Sequence, residues 1–146
     1  MSAEVKNLLG TASSVTLTKS SPASPSVTLS GGLTQAYLLY YDFTVSTTDG
    51  ADSVYLILQT SFDSGVTWID AAAGNAYTLA SAQRYGLISA GPPGAAVYAA
   101  VTDGTLSAGT VRLGLLGHRA RIKAAFTDAD DDATATLSAA RLLRFW

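Results

Sequence analysis

The chain has 146 residues, which suits one domain with a sizeable core, and 48% of them are hydrophobic against only 14% charged. That much apolar side chain excludes general disorder, and no run approaches the roughly 18 apolar residues a membrane span needs. A net charge of −2 gives no long-range field for nucleic acid, and the absence of cysteine removes disulfides and thiolate chemistry.

The first ten residues, MSAEVKNLLG, lack a basic stretch followed by an apolar one, so no targeting segment is expected. Ser2 is placed to cap one or two helical turns, with Val5, Leu8 and Leu9 on one side and Gly10 at the end. So short a helix is marginal in water unless it docks. Residues 1–12 therefore read as an N-terminal arm, with Val5, Leu8 and Leu9 as candidate interface residues. Glu4, the chain's single glutamate, falls in this terminus.

Residues 13–146 read as a single β domain. SSVTLTK and SVTLS alternate like short strands, with Pro22 and Pro25 marking a turn or an edge between them. AYLLYYDFTVS (36–46) and DSVYLILQTS (52–61) are rich in β-branched and aromatic residues, and TTDGAD between them carries an Asp-Gly turn signal. The second run is apolar on both faces, which predicts a strand covered on both sides or lying at the middle of a sandwich. VTWID (66–70) pairs back onto it. NAYTLA, RYGLISA, AAVYAAVT and TVRLGLL follow as strand-like segments, broken by GPPG and DGTLSAG. RARIKAAFT (119–127) puts Arg119, Arg121 and Lys123 on one face and Ala120, Ile122, Ala124 and Phe126 on the other. ATATLSAARLLRF closes the chain with a further alternation, and the apolar pair Phe145–Trp146 is expected to be buried. Turn signals every 8–12 residues predict an all-β fold, an antiparallel β-sandwich of about eight to ten strands.

Residues 61–68, SFDSGVTW, have the Ser-x-Asp-x-Gly-x-Thr-Trp spacing of a tight hairpin. Asp63 is set to accept hydrogen bonds from turn amides, Gly65 to supply a left-handed backbone, Thr67 to satisfy a backbone group, and Trp68 to pack back over the hairpin as a buried side chain. The string resembles the Asp-box of sialidase propellers, where it is a structural turn away from the active site. Here it occurs once, with no repeat of propeller period, in a chain too short for a propeller.

Catalytic patterns are sparse. His118 is the only histidine and falls at a predicted loop–strand junction; there is no GxSxG elbow, no zinc ligand spacing and no phosphate loop before a helix. In DADDD (128–132), Asp128, Asp130 and Asp132 have the spacing of a calcium loop, but Ala133 replaces its glycine and Ala139 its bidentate glutamate. The loop reads instead as a solvated turn or an acidic patch for a basic neighbour. Arg119, Arg121 and Lys123 read as a solvated face or as partners for an acidic patch across an interface. No metal, cofactor, nucleic acid or membrane is expected.

The run DSVYLILQTSFDSGVTWIDAA resembles a hairpin common in small structural proteins of tailed bacteriophages, through Gln59, Thr60, Ser61, Asp63, Gly65, Thr67, Trp68 and Asp70. HRARIKAAFTDADDDATATLSAARLL is similar in style to the closing strands of those proteins. The resemblance implies a jelly-roll-like sandwich and a non-enzymatic virion building block. A capsid decoration (cement) protein bound to the major capsid protein is expected first, as a homo-oligomer, with a trimer favoured. Head–tail connector and tail proteins are the alternative positions in the particle. A third expectation is a carbohydrate-binding module, using Trp68 or the Tyr37, Tyr40 and Tyr41 cluster as a stacking platform.

Overall fold

A computed structural model of the chain describes residues 2–47, 52–78, 82–91, 102–112, 115–127 and 132–146, with backbone alone at 82–85. The described residues form nine strands: β1 (Ala3–Asn7), β2 (Val15–Thr18), β3 (Val27–Thr28), β4 (Ala36–Ser46), β5 (Ser53–Ser61), β6 (Ile69–Ala73), β7 (Ala82–Ala90), β8 (Arg119–Thr127) and β9 (Thr134–Phe145). No helix forms among them. The alternating segments of the sequence became the long strands, because one buried face specifies period-two register.

The pairing is a set of nested hairpins. β5 pairs β6, β4 pairs β7, β3 pairs β8 and β2 pairs β9, all antiparallel. The turn between β5 and β6, the SFDSGVTW segment, is the apex of this folded-back ribbon. Wrapping the ribbon brings β4 against β9 and β5 against β8. The result is two packed sheets, β1/β2–β9–β4–β7 and β3–β8–β5–β6. This eight-strand arrangement, extended by β1, is a jelly roll. Between the sheets lie Leu39, Tyr41, Phe43, Leu56, Ile122 and Leu137, with others. Tyr41, Phe43 and Tyr77 stack in series, with ring centroids 5.8 and 5.6 Å apart.

Two bulges adjust the alternation. Asp42 faces Ala139 but Phe43 faces Leu137, so Ser138 is the extra residue in β9. It reverses the phase of the strand: Ala135 and Leu137 point inward before it, Ala140, Leu142 and Arg144 after it. In β6, Leu58 faces Ala72 and Gln59 faces Asp70, leaving Ala71 extra. That bulge keeps both Ala71 and Ala72 in the core while Asp70 turns to the outer face with Gln59.

The N-terminus differs from expectation. Residues 3–7 are strand rather than helix, paired in register with β9 from Ala3↔Phe145 to Asn7↔Arg141. Ready-made ladder partners satisfy the backbone of this short segment, which a lone helical turn cannot do for itself. Val5, Leu8 and Leu9 do not form one stripe: Val5 is exposed, while Leu8 and Leu9 are buried in the protein's own core. The 1–12 arm is thus tied into the sheet. TVRLGLL is not a continuous strand among the described residues; Val111 and Leu116 make isolated bridges to Ala72 and Thr34. AAVYAAVT lies outside the described residues except for Thr102.

Candidate functional site

The apex turn is built as its spacing predicts. The Thr67 amide donates to Asp63 Oδ1 at 2.8 Å and the Ser61 hydroxyl donates to the same oxygen at 2.7 Å. The Gly65 amide donates in turn to Ser61 Oγ at 2.8 Å. Gly65 has φ +93°, and Ser64 before it is also left-handed at 62°. Backbone and side-chain hydrogen bonds from Thr67, then the one from Ser61, hold the Asp63 carboxyl down to about 2. Trp68 is half-buried rather than buried. The Arg121 guanidinium lies over its ring at 4.2 Å from the centroid, so a cation occupies the face a sugar would stack on. The turn carries two exposed apolar side chains, Phe62 and Val66, the latter 83% exposed. Gly117 packs against the Ser61 carbonyl and the Phe62 backbone, and no Cβ fits there.

The outer face of β5, β6 and β8 holds a polar lattice centred on Asp70. Residues 102 and 110–112 run beside β6: the Asp70 amide donates to the Thr102 carbonyl, the Ala73 amide to Thr110, and the Arg112 amide to Ala71. The intervening residues fold over the sheet. Asp70, fully buried, accepts from the amides of Gly104, Thr105 and Leu106, from the Thr102 hydroxyl and from Gln59 Nε2, at 2.8–3.1 Å. Burial alone would raise this carboxyl; the hydrogen bonds from Gln59, Gly104, Thr102 and Leu106 outweigh it and hold the group below its ordinary value. Leu106 plugs into a small second cluster with Ile57 and Ala73, and its carbonyl accepts from the Tyr55 hydroxyl. Burying a leucine side chain contributes about 2 kcal/mol. This cover is why β5 is apolar on both faces.

The expected basic face is absorbed into the same lattice. Arg121 Nε donates to Gln59 Oε1 at 2.8 Å, and Lys123 Nζ lies 3.0 Å from Asp103 Oδ1. Asp103 also accepts from Gln59 at 2.7 Å. Burial works to raise the Asp103 carboxyl, but Gln59, Lys123 and Arg121 together lower it. Arg119 reaches the Ser64 carbonyl of the apex turn at 3.4 Å. The three cations are thus side chains of one face turned partly inward to their own chain, and the signal that could have found this was Gln59, a polar residue in the middle of VYLILQTS.

A second buried charge closes the other side of the molecule. Arg144 is fully buried in β9, and its Nε and Nη2 each lie 2.8 Å from Glu4 Oε2 on β1. It also donates to Thr34 Oγ1 and to the carbonyls of Ser30 and Gly32. Trp146 lies over its guanidinium at 4.1 Å, half-buried, packed on Gly31 and Gly32. Glu4 is therefore fixed in the terminal clamp. A lone arginine inside the closing run LLRFW was the available signal.

Of the acidic loop, Asp128 and Asp130 lie outside the described residues. Asp132 accepts from the Thr47 hydroxyl at 3.1 Å, beside Asp52, which accepts from the same hydroxyl at 2.5 Å. No metal-binding cluster forms among the described residues. Tyr37 and Tyr41 face the core, where burial raises their hydroxyl pKa values, and Tyr40 faces the other way, so the three do not form one platform. His118 is exposed.

A cleft of about 290 Å³ opens between β4, the end of β6 and β7. Its lining includes Tyr41, Asn75, Tyr77, Leu87, Ser89 and Val111, with Gly74, Gly86 and Gly109 between them. Gly74 and Gly86 sit directly against the Tyr41 ring, where a Cβ would overlap it. No protein-family model, curated protein or solved structure matches the chain.

Proposed function

We propose that this protein is a non-enzymatic building block of a phage-type virion, a decoration protein that binds the outer capsid surface and stiffens it. The observation that carries the reading is the apex hairpin. The residues on which the phage resemblance rests, Gln59 to Asp70, fold as the β5–β6 hairpin, the apex of the nested pairing, with their polar groups spent on holding the subunit together. Such a hairpin presents Phe62 and Val66 on a turn stiffened by Asp63, which suits docking on a partner protein. Of the expected contact residues, Leu8 and Leu9 serve the subunit's own core, whereas Val5 and Arg119 remain on or near the surface.

Purified phage-type particles test the reading by the copy number of this protein, measured against the major capsid protein by quantitative mass spectrometry. Decoration predicts on the order of hundreds of copies, in symmetric homo-oligomers for which a trimer is favoured. About a dozen copies would instead assign the chain to a connector or tail ring. Absence from the particle would overturn a virion role.

A further inference from the structure

We propose that the cleft between β4, β6 and β7 binds a single neutral sugar ring. The first argument is charge. Every described residue lining the cleft is uncharged, so among the described residues an ionic ligand would lose hydration with no counter-charge to replace it. The second is polarity. The Asn75 amide and the Ser89 hydroxyl have no side-chain hydrogen-bond partner among the described residues, and both side chains are exposed at the cleft. A purely apolar ligand would cover them and leave them unsatisfied. Leu87 and Val111, 64% and 47% exposed, supply apolar surface to the same cleft. A ligand that offers hydroxyls at its edge and C–H groups on its face satisfies both demands, and a pyranose does so.

Size and shape agree with one ring. The volume of about 290 Å³ is at the small end of ligand pockets, which begin near about 300 Å³. Gly74 and Gly86 make room for the Tyr41 ring that floors the cleft, and Gly109 adds no side chain to its wall. The floor is stiff: Tyr41 is buried, hydrogen-bonds Tyr77, and is enclosed by the two glycines. Of the aromatic residues suggested by the sequence as stacking platforms, the site uses Tyr41 alone, as part of its floor, and neither Trp68, Tyr37 nor Tyr40 lines it. It lies toward the start of β5, where Tyr77 bridges Val54, and away from the apex turn. Docking through that turn therefore leaves the cleft free, and the proposal does not depend on the virion reading.

The test is a titration of the isotopically labelled, purified protein with glucose, galactose and N-acetylglucosamine, with glucuronate as the charged control. Amide resonances of Gly74, Asn75, Gly86 and Ser89 report the site. The expected result is saturable shifts at these residues with at least one neutral sugar, at a Kd of about 1–10 mM. The double substitution Asn75→Ala/Ser89→Ala should weaken binding about tenfold or more, with an unchanged melting temperature because both side chains are exposed. No shift with any neutral sugar, shifts confined to other residues, equal binding by the double variant, or equal binding of glucuronate would each overturn the proposal.

Discussion

Asp63 and Asp70 stand at the two ends of one hairpin connection and do opposite kinds of work. Both carboxylates accept backbone amides, and in both the hydrogen bonds lower the pKa. Asp63 closes a turn with partners two to four residues away, in solvent. Asp70 is buried and binds groups 32–36 residues along the chain, so one carboxylate holds the 102–106 segment onto the sheet. Loss of the local partner lets water take its place. Loss of the distant one strands several donors in a dry site, where each unsatisfied group costs its full desolvation.

The largest effect expected from this contrast is at Asp70. Asp70→Ala should destabilise the fold by about 3 kcal/mol or more and release the 102–106 segment, read by urea unfolding and by limited proteolysis. Asp63→Ala should cost only a small fraction of that loss. Equal losses would break the comparison. Gly86→Ala comes next, at about 2 kcal/mol, because its methyl group would overlap the Tyr41 ring. Thermal unfolding measures it.

Acid acts on both carboxylates in the same direction. Asp63, Asp70 and Asp103 all have folded pKa values below their ordinary ones, so at pH 3 the unfolded chain binds more protons. Their contribution is present above about pH 4 and is lost as pH falls through the folded values, which for Asp63 lies at about 2. Stability measured across that window should fall steeply in the native protein and less steeply in Asp70→Asn. Val66→Asp is the smallest in stability, within about 0.5 kcal/mol, since the side chain touches little. It is nonetheless expected to weaken docking on capsids.

The same contrast explains what the sequence disclosed. Asp63, Gly65 and Thr67 are legible because their partners lie within four residues, and β4, β5, β8 and β9 are legible from alternation. The jelly roll itself shows in the nested pairing, which alternation alone does not order. Asp70 reads as one more hairpin residue because nothing local marks its link to residue 104. Arg121 and Lys123 looked free for a partner because Asp103 is distant in sequence. The phase change at Ser138 is invisible until Arg144 is seen to need the inside. Val5, Leu8 and Leu9 imitate a helical stripe, and only the neighbouring β9 edge decides for strand.

The central claim is that this jelly roll docks on a capsid, and its apex turn is the part proposed to touch. Co-sedimentation of the purified protein with DNA-free phage-type heads tests this most directly, with Val66→Asp alongside. Saturable binding by the native protein that Val66→Asp loses while staying folded is the result predicted. A native protein that remains in the supernatant at every head concentration would contradict it.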